Sequence, residues 1–554
     1  MNKRFTIGTF AVVIASGIFA QTVNPAITNA VKALQGEQTT KAKDILLSYL
    51  AQTPADQEAN YRLGNIYYQL GNKDSARYYF EKGIKPDDKV NYNFAGLGKL
   101  SLDAKDVVKA DEYLNRLTGY GKSKDTKAYT FAGEAYLNAA SGDLTKAIMH
   151  LEKAVTLNLA NGEAQLLLGD AYLQSNNAGK AVTKYEYAID ADKTSAFPYM
   201  KIGQVYMKSG AYDQALKNFQ KGNEIDPQFA PLFRELAEIN YLTKNFNEAC
   251  RLYKKYLDST GEDIQKMTRY ASFLFLCKDY QGTISEINAV LKQDSSNIIL
   301  SRLIGYSYYE EGKYPEGLAF MKKFLEQADS AKIIGSDYAY YGKLLAKTNN
   351  ELLAVVYLNR AIRADSANAD LYSDLSQVLY SQKKYVEVIP VLEKMLQLRR
   401  GSSQDYFLLG KAYYYAAGNL SGLAKETEDK TQKKEMDATA GNYYHEADSA
   451  FIKVTEMQPG APLGYLWRGR CNSNLDPETT EGLAFPYYTK FIELATDEAK
   501  YKRELIEANQ YIGFYYVMKD DNNSAKPYWK KVSELEPGNK KAEEFFKSLA
   551  QSKP

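Results

Sequence analysis

The chain has 554 residues, with 70 Lys and Arg against 68 Asp and Glu, 45% hydrophobic and 13% aromatic residues. These proportions fit a folded, soluble protein and exclude a collagen, a disordered tail and a multispan membrane protein. The balanced charge leaves no surplus of cations to hold a phosphate backbone, so no nucleic-acid partner is expected.

The chain opens Met1-Asn2-Lys3-Arg4, then runs apolar over residues 5–20 before Gln21. A short cationic start, about fifteen apolar residues and a small residue at the end make the pattern of a signal peptide over residues 1–20. The run falls short of the roughly 20 residues of a comfortable membrane span. Cleavage is expected after Ala20, with Ala15-Ser16-Gly17 as second choice and an uncleaved anchor as the alternative. No cysteine lies near either cut, which excludes a lipid anchor on a mature N-terminal Cys. No later stretch is apolar for long enough to cross a membrane, so no integral span is expected in the mature chain.

Beyond the leader one pattern recurs. Tyr61-Arg62-Leu63-Gly64-Asn65-Ile66-Tyr67-Tyr68 is followed by Gly71, Ala76, Phe80 and Pro86. Tyr199-Met200-Lys201-Ile202-Gly203-Gln204-Val205-Tyr206 is followed by Gly210, Ala215, Phe219, Gly222 and Pro227. An apolar residue followed by a small one places starts at 57, 91, 126, 162, 196, 230, 264, 298, 335, 369, 403, 462 and 506, with steps mostly of 34. Each unit holds two stretches of helical periodicity broken by a turn, and such a pair must stack on its neighbours to bury its apolar face.

This unit resembles the tetratricopeptide repeat, and the resemblance covers nearly all of residues 24–551. It implies an all-α, right-handed α-solenoid of about 13 to 14 helix-turn-helix repeats with a concave inner groove. The expected organisation is a signal peptide (1–20), a degenerate N-terminal repeat (21–56), a repeat array (57–417), a charged insertion (418–442), C-terminal repeats (443–537) and a capping helix with tail (538–554). The mixed charges and lack of Pro in the insertion point to lengthened helices or a mobile excursion. A smaller insertion covers residues 474–481, with Asp476-Pro477 inside it.

Chemistry is sparse. His150 and His445 lie far apart, and no phosphate loop, nucleophile elbow or metal-ligand spacing is present, so no enzyme, no cofactor and no metal site is expected. Cys250 and Cys277 fall on helices that run antiparallel in the family, which could bring them together as a disulfide in an oxidising compartment; two buried free thiols are the alternative.

In the family, positions two, five, nine and twelve of each first helix line the groove. Mapped here, the stripe gives Tyr61, Asn65, Tyr68, Met200, Gln204, Met207, Arg234, Tyr241, Phe275, Arg302, Tyr306, Tyr309, Tyr380, Phe407 and Tyr414 as partner-binding residues, with packing alone as the other reading. The family's clamp for a C-terminal carboxylate would put Asn65 in one place, but Ala95 and Lys99 stand where its second Asn is expected. The resulting expectation is a noncatalytic scaffold for a protein or peptide partner. The leader and the richness in Tyr, Asn and Lys look like exported proteins of the Bacteroidota. That implies the periplasm of a Gram-negative bacterium, in an outer-membrane-associated complex. A soluble receptor for a glycan or small ligand in the Tyr-rich groove is the alternative.

Overall fold

A computed structural model describes residues 24–295 and 298–551. The expected signal peptide lies outside the described residues. Those residues form 29 α-helices and two 3-10 turns, without a β-strand. They divide into two compact units, the first ending at Asp294 and the second beginning at Ser295. The first unit holds eight helix pairs, and the second six pairs and a final single helix.

The periodicity placed the elements closely. First helices begin at Gln57, Thr126, Gly162, Ala230, Ile264, Gly335, Ala369, Ser403 and Pro462, each on an expected repeat start. The partner helices meet where one carries a small residue: a Cβ on Gly203 would stand 2.3 Å from Phe219 Cε1. Any other side chain there would drive the pair apart, and the apolar burial that joins them would be lost.

Eleven turns inside repeats share one left-handed residue. Gly71, Gly210 and Gly312 occupy it at φ of 75–78°, whereas Glu37, Lys105, Asn176, Lys244, Lys278, Asn349, Lys383 and Asp520 hold φ of 57–67° against their own Cβ. Helix packing imposes the reversal at these eight positions despite the steric cost.

The charged insertion extends both helices of its repeat, Ser403–Glu426 and Lys430–Met457, into one long arm. In the smaller insertion the carboxylate of buried Asp476 accepts backbone N–H bonds from Thr480, Glu481 and Gly482 at 2.7–3.0 Å, folding the loop around a single side chain. The final helix, Lys540–Gln551, covers the last repeat by stacking Phe545 on Trp529 at 5.7 Å between ring centroids. This is the expected cap.

Candidate functional site

The first-helix face of the first unit is crossed by its own ion pairs, which line a cleft of about 600 Å³. Arg62, on helix Gln57–Gln69, donates to Glu163 at 2.5 and 2.8 Å and to Glu58 at 3.1 Å. Lys127 reaches the other oxygen of Glu58 at 2.5 Å. Burial opposes these charges, yet Glu163 and Glu58 hold the Arg62 guanidinium above its ordinary value, and Arg62 holds the half-buried Glu163 carboxyl below its own. Lys99 is 2% exposed, donates to Asn65 at 2.5 Å and lies 4.2 Å from the Tyr68 ring centroid. Burial lowers its ammonium pKa against the pull of Glu134 and Asp103.

Several expected partner residues are therefore corrected. Tyr61 is wholly buried, lies with its ring centroid 4.4 Å from that of Phe131 in a tilted contact and donates to Glu134 at 2.6 Å. Asn65 is buried under Lys99, and Met200 is buried in an apolar cluster with Phe219 and Leu232. Tyr306 is buried against Tyr340 and donates to Asp337 at 2.6 Å. None of these four can meet a partner without unpacking.

Others are half-exposed but engaged. Tyr68 donates to Asp103, and Gln204 donates to Glu235 at 2.9 Å. Arg234 serves Glu235 at 2.7 Å and Glu37 at 2.5 Å. Arg302 donates to the Lys332 carbonyl at 2.7 Å. Tyr241 lies under the Arg269 guanidinium, Phe275 beside Tyr280, and Tyr309 under Lys343. Met207 packs on the Phe219 cluster. Position two of each repeat, left unmapped by the stripe, would have exposed the ladder: it holds Glu58, Lys127 and Glu163.

In the second unit Arg302, Tyr306 and Tyr309 are thus already occupied, and the stripe changes character from Tyr380 on. Tyr380 and Phe407 stand with Tyr415 and Trp467 around the Lys411 ammonium, which is 5.4 Å from the Trp467 centroid. Burial, with Arg470 close by, lowers the Lys411 pKa. Next to this cluster a cleft of about 700 Å³ runs along the last repeats, with Tyr414 at its edge. Glu507, Gln510, Phe514 and Val517 line it from helix Lys502–Met518. They are positions two, five, nine and twelve of the repeat starting at 506. The register that named Tyr414 could have found them had it been carried to the last two repeats.

The cleft joins an apolar patch to a closed polar wall. Trp529 and Phe545 form its floor, and Phe514 is 42% exposed above them. Arg470 donates to Glu507 at 2.9 and 2.7 Å, and Tyr488 donates to the same carboxylate at 2.8 Å. Burial opposes the Arg470 charge, but Glu507 keeps it above its ordinary value. Asn474 donates to the Tyr414 hydroxyl at 3.3 Å, and burial pushes that phenol up to about 12. Ser473 and Gln510 place a hydroxyl and an amide on the same opening. Such a lining grips apolar side chains while offering hydrogen bonds to a peptide backbone.

The two histidines are apart in character as well as in sequence. His150 stacks on Tyr136 at 5.6 Å, and burial with Lys146 alongside lowers its pKa to about 4. His445 is exposed on the arm. Cys250 and Cys277 are free and half-buried, and Cys471 is fully buried.

Stacked helix pairs with an apolar, aromatic-lined cleft define a helical-repeat interaction scaffold. Tetratricopeptide repeat models match residues 57–85, 132–196 and 198–229. A TPR repeat-containing protein of Methanocaldococcus jannaschii is 28% identical over 204 residues, 33% of this chain; the chain spans 35% of that curated relative. Among solved structures, the C-terminal part of a TPR repeat-containing protein from Cytophaga hutchinsonii is 33% identical over 50% of this chain and 98% of that one, with a TM-score of 0.39. A tetratricopeptide repeat protein from Parabacteroides merdae is 14% identical over 46% and 100% of the two chains, with a TM-score of 0.31. The chain belongs to the tetratricopeptide repeat family. Among the described residues no helix is long and apolar enough to cross a membrane.

Proposed function

We propose that this chain is an exported, noncatalytic adaptor that takes an apolar segment of a partner protein into the cleft of its last repeats. The observation that carries this reading is the contrast between two clefts: that of the first unit is lined by the paired charges of Glu58, Arg62, Lys127 and Glu163, whereas Phe514, Val517, Trp529 and Phe545 line that of the last repeats. Because Arg470 is neutralised by Glu507, affinity comes from one or two bulky apolar anchors rather than from charge. The leader pattern of residues 1–20 supports export to a periplasm, and an outer-membrane-associated complex is the setting that the reading favours.

A photo-crosslinking residue at position 514, beside one at exposed Met149 in the first unit, tests this in native envelope extract. One partner crosslinked from 514 but not from 149, and lost with Val517→Glu in a protein of unchanged circular dichroism, supports the adaptor. No crosslink, or the same products from both positions, overturns it. A saccharide that alone raises the melting midpoint and blocks crosslinking would replace the protein partner with a small ligand.

A further inference from the structure

We propose that Cys250 and Cys277 are a disulfide-forming pair that staples two consecutive repeats of the first unit. Helices Phe246–Thr260 and Ile264–Leu276 run antiparallel, and their aromatic contacts set the register. Tyr253 meets Phe273 at 4.9 Å and stacks on Tyr270 at 6.3 Å. One turn back along the first helix from Tyr253 is Cys250, and one turn forward along the second from Phe273 is Cys277. The two thiols accordingly come together: Cys277 is near enough to help push the Cys250 thiol up, and its own S–H donates to the Leu274 carbonyl at 3.4 Å. Both side chains are half-buried, so they combine a fixed mutual position with access from outside. Cys471 is sealed inside the second unit and cannot compete while the protein is folded.

The order of the exchange follows from the surroundings. Burial, with Cys277 and Asp279 beside it, pushes the Cys250 thiol up and makes it a slow first nucleophile. Cys277 closes its helix next to exposed Lys278 and Asp279, where a dissolved disulfide can approach. The Cys277 sulfur attacks a small disulfide R–S–S–R, forming Cys277–S–S–R and releasing one R–SH that carries off the Cys277 proton. The Cys250 sulfur then attacks the Cys277 sulfur, forming the Cys250–Cys277 bond and releasing the second R–SH with the Cys250 proton. Two thiols are oxidised and one external disulfide is reduced. Such a bond persists only in an oxidising compartment, so the pair would follow the protein's location.

The test needs no binding partner. The full chain is equilibrated with oxidised glutathione, quenched in acid, denatured, alkylated and weighed intact, then digested. The expected result is one alkylated thiol, Cys471, a mass 2 Da below the reduced chain before alkylation, and a crosslinked peptide joining positions 250 and 277. The oxidised form should also melt at a higher temperature than the reduced one, a difference abolished in C277S. Three alkylated thiols, a glutathione adduct that stays on either cysteine, or bonds only between chains would overturn the staple. The groove reading would be untouched by that failure, just as an unsuccessful crosslink at position 514 leaves the thiol chemistry standing.

Discussion

Glu37 and Arg234, 197 positions apart in sequence, form an ion pair at 2.5 Å, and the same carboxylate receives the hydroxyl of Tyr256. The turn of the first hairpin is thereby tied to the seventh helix pair, Ala230–Leu242 and Phe246–Thr260. Tyr256 is 2% exposed, so Glu37→Ala would leave its hydroxyl inside the protein without this acceptor. An unsatisfied buried group of this kind costs about 1–3 kcal/mol. Hydrogen exchange should show the loss locally: residues 39–52 become less protected by about tenfold, while the second unit is unaffected. Unchanged protection would mean that the pair contributes nothing to holding the hairpin.

The ladder of the first unit makes a stronger demand on its central cation. Arg62→Ala removes the partner that Glu58 and Glu163 share, leaving two carboxylates against Lys127 alone. Breaking a buried pair from one side costs about 3–5 kcal/mol. With the Glu163 side chain a third exposed, water takes up part of that cost, and we expect a loss near or below the low end of that range by urea denaturation. Arg62→Ala combined with Glu163→Ala should lose less than the sum of the two single variants.

His150 gives a pH dependence with a definite sign. Its folded-state pKa is near 4, below the ordinary value of 6.5, because burial and Lys146 disfavour the charged ring. Above 6.5 both folded and unfolded states hold it neutral. As pH falls toward 4 the unfolded chain takes the proton first, so stability declines through that window. The imidazole proton resonances should titrate near 4, and His150→Phe should flatten the fall in melting midpoint between pH 6.5 and 4. A titration near 6.5 would show that the ring is hydrated.

The arm carries glycines that its packing does not require. A Cβ built on Gly422 or on Gly441 meets nothing within 4 Å, although both lie inside helices. Gly422→Ala and Gly441→Ala should each stabilise the arm by about 1 kcal/mol, read as increased helicity and slower exchange in residues 418–442. If either substitution destabilises, a neighbouring backbone must approach there in solution.

Much of the architecture was legible because it is local. Gly203 opposite Phe219, or the apolar-small step at Leu63-Gly64, repeats at a fixed spacing and identifies the same helix pair each time. The inner face was harder to read because its partners are not local: Arg62 meets Glu163 at a separation of 101 positions, a closeness set by how successive pairs stack. The motif at Tyr61 looks the same whether that side chain faces a partner or Glu134. Burial of Tyr61 and Tyr306 is thus decided outside the repeat that contains them. The cleft at Phe514 lay in plain register, whereas the regular 34-residue step from 264 to 298 runs straight across the division near residue 294.

The eight left-handed turns without glycine have a consequence for how the stability of such a chain is distributed. Repeats contact mainly their neighbours, so their contributions combine nearly as a sum along the array. A reversal such as Lys383, held at φ of 58° against its own Cβ, lowers the contribution of its own repeat. The chain is therefore a string of stronger and weaker links, whose weaker members are set by single residues at identifiable places. Glycine at Lys105, Lys244, Lys278 or Lys383 would strengthen one link at a time and leave the rest of the string as it is.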